Sequence, residues 1–298
     1  MKRLKIFLPA LLAVTLAGLF SCKSAPLVSD VDPLDLLDGS SSFYLRIPQK
    51  ADPALISRML QNNLQGLSET DADRITQRID TVYMGIRKSR KGSDFQLATS
   101  CNFPQIAVNT AFSKKNGWKS EKLSLDSKLG KPVVYTVYDN SGLLASFPSL
   151  TTGVMGRGVP AMVERYHNLS QYIESAAYDS LDENARQWLS YENELSEAQV
   201  RFFASKPQSF LTTLTGANLN FKLIYVKGYL ENDPENDSQY RMQLEFEFRD
   251  SRVVGAAKAM LSVAFGLTDS NVRLTTDTHL IISGIKINKN QLYKILVI

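Results

Sequence analysis

The sequence predicts an α+β protein made of two sheet-containing units, residues 43–150 and 199–298, joined by a mostly helical connector, residues 151–198. Strand-like segments with alternating apolar residues and helix-like segments with three- and four-residue apolar spacing follow one another along the chain. A hydrophobic content of 44% is enough for a sizeable core. Both halves also show the order strand, helix, hairpin, helix, strand, which is the βαββαβ order of a ferredoxin-like unit.

Two short similarities bear on whether one unit is duplicated. Segments 43–48 and 202–207 both begin with phenylalanine and end with proline, and segment 144–148 also resembles 203–207. Both similarities map onto the same strand of the second half, in different registers. A duplicated ferredoxin-like unit therefore stays open beside two unrelated units.

The first unit begins with a strand at 43–48 that ends in a proline. Asp52 can cap the helix that follows, and Pro53 suits its first turn. The remaining elements follow from hydrophobic spacing and turn residues. They are a short helix at 72–80, a hairpin of strands at 81–88 and 95–103, a helix at 104–112, and a hairpin of strands at 133–138 and 143–147.

The connector and the second unit are predicted in the same way. Residues 152–160 are rich in glycine and predict a loop, and residues 161–194 are mostly helical in pattern. The elements of the second unit are a strand at 201–207, a short helix at 208–215 stopped by Gly216, a hairpin of strands at 218–231 and 239–249, a helix at 253–267, and a strand-like stretch at 272–287. Apolar and acidic residues alternate at 244–248, so the sheet is expected to have one wet face.

The first 22 residues carry a targeting signal. Three basic residues precede the apolar run 6–20, which is short for a membrane span of roughly 20 residues. The run ends in Leu19-Phe20-Ser21-Cys22, which resembles the lipobox of bacterial lipoproteins. This resemblance implies a signal peptide at 1–21, acylation of Cys22, and a tether at 22–42. An uncleaved anchor helix and an ordinary signal peptide are the alternatives.

The resemblance also implies a place in the cell. Cys22 would hold the protein on a membrane of the bacterial cell envelope, and the lysine that follows it favours the outer membrane over the inner one. The tether is acidic, but its segment 33–37 is more apolar than a free linker. Docking of this segment on the body is the favoured interpretation, and a partner-binding motif is the alternative.

The charge pattern gives no support for a nucleic-acid partner, and none is predicted. The formal net charge is +4, and three of the 34 basic residues lie in the signal, where there is no acid. The remainder is close to neutral, whereas nucleic-acid binding needs a concentrated basic face. One basic cluster, 87–92, is interpreted as a solvated hairpin tip, with contact to acidic lipid headgroups as the alternative.

The sequence contains no recognisable catalytic or metal motif. His167 and His279 lie outside any metal-ligand spacing, and Cys101 is expected to face the core, so no metal, disulfide or cofactor is predicted. Arg157, in the glycine-rich segment 153–158, is the one candidate there for anion binding. The acidic segment 232–237 lacks the glycine and the closing glutamate of a calcium loop, and is interpreted as a hairpin tip.

Three functions follow from these observations. The favoured one is a non-enzymatic, lipid-anchored envelope protein that binds another envelope protein or a glycan. The second is a lipid-anchored protein that binds a small ligand in a cleft between the two units. The third, and least favoured, is a hydrolase whose site is formed by residues scattered in sequence.

Overall fold

The computed structural model describes residues 31–292, apart from 65–66, 90–91, 129, 173–179, 191–195, 217–218, 220, 267–270 and 291. In these residues, twelve strands form one sheet in which every pairing is antiparallel, in the order β11-β12-β10-β9-β8-β1-β2-β3-β7-β6-β5-β4. The strands are β1 Phe43–Pro48, β2 Ile79–Ser89, β3 Gly92–Cys101, β4 Lys119–Leu125, β5 Val133–Asn140, β6 Leu143–Ser146, β7 Thr152–Gly156, β8 Val200–Ala204, β9 Leu223–Asp233, β10 Asn236–Phe248, β11 Val272–Leu274 and β12 His279–Asn288.

Seven α-helices lie in the described residues. They are α1 Pro53–Asn63, α2 Glu69–Thr76, α3 Gln105–Ala111, α4 Val159–Ser170, α5 Glu183–Ser190, α6 Pro207–Thr215 and α7 Val254–Phe265. The side chain of Asp52 accepts a hydrogen bond from the Leu55 amide at 2.9 Å, and Gly216 ends α6 with a φ of 70°, as the sequence predicts. These local signals work because they satisfy the unpaired groups at helix ends.

The mixed α and β content is confirmed, but the ferredoxin-like duplication is not. In a βαββαβ unit the first two strands, which a helix joins, are separated in the sheet by the third strand. Here β1 pairs directly with β2, and β8 pairs directly with β9. The two halves also share one sheet, because β1 pairs with β8 through Phe43 opposite Ala204 and Arg46 opposite Arg201. The boundaries of the two units stay a prediction.

Three stretches differ from the sequence prediction. The glycine-rich segment predicted as a loop forms β7, which pairs with β3 and β6, so residues 151–198 are more than a helical connector. Lys119–Leu125 forms edge strand β4, whose mostly exposed side chains leave little hydrophobic alternation to detect. The stretch predicted as a strand at 272–287 is a hairpin of β11 and β12.

The sheet buries both of its faces. We call the side covered by α1, α2, α3, α6 and α7 the α1 face, and the side covered by α4, α5 and the N-terminal segment the α4 face. Along β10, Tyr240, Met242, Leu244 and Phe246 are buried on the α1 face, while Glu245 lies on the partly exposed α4 face. The alternation of buried and partly exposed residues along β10 is confirmed, but the α4 face here is half-buried and not fully open to water.

The segment predicted as the end of the tether lies on the protein body. Pro33–Leu36 forms a short 3-10 helix, and Leu34, Leu36 and Leu37 are at most 1% exposed on the α4 face. Asp38 receives hydrogen bonds from Arg157 at 2.7 and 3.1 Å. Docking of this segment, the favoured interpretation, is therefore confirmed.

Candidate functional site

The α1 face contains a cavity of about 1120 Å³. Helices α1, α2 and α3 cover it, and strands β2, β3 and β7 form its floor. Ligand-binding pockets typically measure roughly 300–1,000 Å³, so this cavity is large enough for a sizeable small molecule. We take it as the candidate functional site.

The interior of the cavity is apolar. The floor is formed by side chains that alternate along neighbouring strands, and α1 contributes the opposite wall. These residues are Val82, Met84, Phe95, Leu97 and Met155 on the strands, and Ile56, Met59, Leu60 and Leu64 on and beside α1. Methionine side chains adapt to irregular shapes, so three of these positions suit ligands of variable outline.

An aromatic cluster closes one side of the cavity. The rings of Phe103 and Phe147 meet edge to face with centroids 5.6 Å apart, and Phe112 packs against Phe147 at 5.0 Å and Trp118 at 4.7 Å. Such pairs contribute roughly 0.5–1.5 kcal/mol each beyond the burial of their area. They give this wall a defined shape.

The polar lining residues belong mainly to the ends of α2 and α3. Asp71, Arg74 and Arg78 are exposed and also line the cavity, so they lie at its opening. Thr110 on α3 and Asn116 just after α3 also line the cavity and are exposed. The site therefore combines an apolar interior with a polar, partly cationic rim.

His167, a residue that the sequence singled out, is 1% exposed on the α4 face. Its Nδ1 lies 3.1 Å from the Tyr135 hydroxyl, and its Nε2 lies 2.9 Å from the carbonyl oxygen of Asp126. Because both ring nitrogens have partners inside the protein, His167 joins α4 to β5 and to the chain after β4. It is separated from the cavity by the sheet.

His279 lies near an acid and a hydroxyl group. Its Nδ1 is 2.7 Å from Thr275 Oγ1, and its Nε2 is 3.6 Å from Glu245 Oε2. Glu245 and His279 are on the α4 face, whereas the cavity is on the α1 face. The three side chains therefore lie outside the candidate site.

Arg157 binds protein groups rather than an external anion. Besides Asp38, its guanidinium contacts Asp94 on β3 at 3.0 Å. Asp94 also pairs with Arg87, at the base of the basic hairpin, at 2.7 Å. The tip itself, 90–91, lies outside the described residues. Arg157 thus connects the N-terminal segment to the β2–β3 hairpin.

Cys101 faces the core, as the sequence predicts, and is 1% exposed. Burial, with a further contribution from Asp80, raises the pKa of its thiol to about 12. Cys22, the predicted acylation site, lies outside the described residues. Within the described part of the chain, no group of three or more histidine, cysteine or acidic residues could hold a metal ion.

The cavity was not predicted from the sequence, which indicated a cleft between the two units instead. Part of the signal was present, because alternation along β3 predicts that Phe95, Leu97 and Thr99 share a face, and all three line the cavity. Spacing along α1 likewise predicts the apolar face that contains Met59 and Leu60. A pattern of apolar residues cannot show whether the space between two such faces is filled.

None of the helices in the described part of the chain has the length and apolar character required to cross a bilayer. In the solved structures, the fold is found in "Structure of crystal form I of TP0453", with a TM-score of 0.68 and 21% identity, covering 89% of this chain and 96% of that chain. Crystal form III of TP0453 matches with a TM-score of 0.63 and 20% identity, over 89% of this chain and 98% of that one.

Sequence comparison points to the same relatives. Outer membrane protein TP0453 of Treponema pallidum (strain Nichols) is 33% identical over 92 residues, which are 31% of this chain. The matched stretch spans 30% of the length of that curated relative. The family model for the outer membrane-associated lipoprotein TP0453 matches residues 28–293, which include the whole sheet and the cavity. The chain belongs to the TP0453 family of outer membrane-associated lipoproteins.

Proposed function

We propose that this protein, a lipid-anchored envelope protein of the outer membrane, binds an apolar ligand in the cavity on the α1 face. The observation that carries the proposal is the cavity of about 1120 Å³ with its apolar interior and polar rim. The proposal differs from a cleft between two units, because the residues that line the cavity lie between 56 and 155 and none belongs to the predicted second unit. The proposal includes acylation of Cys22, which would attach the protein to the membrane.

The physical argument for an apolar ligand is the hydrophobic effect. The cavity offers methionine, leucine and phenylalanine side chains and, away from its rim, no charged group among the residues that line it. Each methylene group moved from water into such an interior contributes about 0.8 kcal/mol. An acyl chain of the surrounding membrane lipids is the ligand class that best fits this interior.

A chain-length series tests this function. We expect decanol, dodecanol and tetradecanol to displace a neutral fluorescent probe from the purified protein, with affinity rising roughly tenfold per two methylene groups. Ala107→Trp, at an exposed position that lines the cavity, should obstruct entry. The matched control is Ala256→Trp on the exposed side of α7. The absence of saturable binding, or equal binding by both variants, would count against the proposal.

Helix α7 favours a second candidate function, in which the body of the tethered protein contacts the bilayer surface. Its outward side carries exposed apolar residues without an exposed charge, among them Ala256, Ala259, Met260 and Val263. Val263 is 83% exposed. Since an acylated Cys22 would hold the body near lipid, the bilayer surface is the contact that this face fits best.

Liposome co-sedimentation tests the second candidate. The Cys22→Ala protein should associate weakly with vesicles, and Val263→Asp should reduce that association several-fold, because it places a charge in the apolar face. Asn184→Asp adds the same charge at an exposed position of α5 and serves as the control. If both variants bind vesicles like the parent protein, α7 does not contact lipid.

A further inference from the structure

The opening of the cavity has an uneven charge distribution. On the α2 side, the lining residues are Asp71, Arg74, Gln77 and Arg78. Arg74 Nη1 lies 3.2 Å from Asp71 Oδ1, so these two charges largely cancel. Arg78 has no ion pair among the described residues and is exposed at the same opening. The rim therefore presents one uncompensated cation to anything that enters.

Nearby acids do not neutralise Arg78. Asp73 accepts a hydrogen bond from the Ser57 hydroxyl at 2.7 Å and does not line the cavity. Asp80 follows on β2 and is also absent from the lining. A guanidinium in this setting can donate two parallel hydrogen bonds to a carboxylate or a phosphate.

We propose that the ligand of this cavity is a single-chain amphiphile with an anionic head, in which Arg78 binds the carboxylate or phosphate and the acyl chain fills the apolar interior. This inference rests on the proposed ligand-binding function and adds the class of headgroup. A neutral head of the same size leaves Arg78 hydrated, so the Arg78 guanidinium adds nothing to the affinity of such a ligand. Arg78 is thus the specificity-determining residue of the site.

The experiment compares ligands that differ only in the head. The purified protein should bind dodecanoate about fivefold more tightly than dodecanol, which is the range of a solvent-accessible ion pair. Arg78→Gln should remove this preference and leave dodecanol binding unchanged. Arg273→Gln, at an exposed position on the far edge strand β11, should leave both affinities unchanged.

The outcomes separate the two proposals. Equal binding of dodecanoate and dodecanol by the parent protein, or a preference that survives Arg78→Gln, would overturn the headgroup inference while leaving the cavity function intact. Failure of both ligands to bind would remove the function itself. A parallel titration with lysophosphatidic acid that carries a dodecanoyl chain identifies the source of the anion, because at equal chain length tighter binding than dodecanoate assigns the site to a phosphate head.

Salt gives an independent readout of the same contact. Exposed ion pairs weaken as ionic strength rises, whereas burial of an acyl chain does not. The preference for dodecanoate over dodecanol should therefore shrink as sodium chloride is added, with dodecanol affinity nearly constant. A preference that is insensitive to salt would contradict an ionic contact with Arg78.

Discussion

At the scale of single residues, arginines hold the N-terminal segment on the body. Arg165, which is 8% exposed, donates to the carbonyl oxygens of Leu37 and, at 3.3 Å, of Asp35. Arg186 pairs with the Asp35 carboxylate at 2.8 Å, and Arg157 binds Asp38. Because these partners are far apart in the sequence, the segment is stabilised only when α4, α5 and the sheet are already in place.

Asp38 makes this docking sensitive to acid. Burial raises the pKa of its carboxyl, but hydrogen bonds from Arg157 and Ser40 and the charge of Arg157 outweigh it, so the pKa lies below the ordinary value of 3.8. A carboxyl group whose pKa is lower in the folded than in the unfolded protein stabilises the fold at pH values above its unfolded-state pKa. This stabilisation is lost as the pH falls through the folded-state pKa.

We therefore expect Asp38→Asn to reduce the free energy of unfolding by about 1 kcal/mol at neutral pH, after allowance for solvent screening. The difference from the parent protein should shrink towards zero below a pH of about 4. Urea denaturation across pH measures it. Glu164→Gln, an exposed change on α4, should show a small difference that does not depend on pH. An Asp38 effect that is equally independent of pH would contradict this assignment.

At the scale of secondary-structure elements, β7 joins the two hairpins of the first half. It lies between β3 and β6, and its last residue, Gly156, has a φ of 101°. A Cβ atom on Gly156 would lie 2.3 Å from the carbonyl oxygen of Phe95, which accepts a hydrogen bond from the Arg157 amide at 2.7 Å. Glycine is required here because both the backbone conformation and the space exclude a side chain.

Gly156→Ala should therefore lower the free energy of unfolding by about 3 kcal/mol, the sum of left-handed strain and the clash with β3. Gly142→Ala is the matched control, because Gly142 has a φ of 93° but no neighbouring atom within 4 Å of the place that a Cβ atom would take. It should lose only about 1 kcal/mol. Urea denaturation of both variants measures the difference, and equal losses would show that the close approach to Phe95 is not the cause.

At the scale of the whole molecule, the docked segment would limit how far the body can move from the membrane if Cys22 is the acylated anchor, as proposed. Eight residues separate Cys22 from Val31, the first described residue. Fully extended, they span at most roughly 30 Å. A tether that was free up to residue 42 would allow a longer reach, so with the proposed anchor at Cys22 docking would keep the body closer to the lipid surface.

The anchor itself is the prediction at this scale. We expect Cys22→Ala to move the protein from the membrane fraction to the soluble fraction, or to leave an uncleaved precursor, because an acylated cysteine supplies the hydrophobic attachment. Mass spectrometry of the parent protein should show a lipid-modified N-terminal cysteine. An intact N-terminal Met1 in cells would contradict the proposed processing.

The sequence predicted the parts of the fold that depend on neighbouring residues. Helix α1 starts where Asp52 and Pro53 indicate, and β9 and β10 form a hairpin around the acidic turn. Capping groups, turn residues and apolar alternation act over a few residues, so they are visible in one dimension. Strands β4 and β7 were not predicted, because exposed side chains in β4 and glycines in β7 replace the usual alternation of apolar residues.

The sequence by itself thus determined the α+β class, most hairpins and helices, the near-neutral body and the lipoprotein-like leader. Only the tertiary structure decided that β1 pairs with β8 in one sheet, that Leu34 and Leu37 dock on the α4 face, and that a cavity lies beneath α1. These features depend on contacts between residues that are far apart in the sequence. The hydrophobic effect stabilises any apolar contact and has no direction. The pattern of apolar residues in the sequence therefore shows which side chains are buried, but not which faces meet or how completely they fill the space between them.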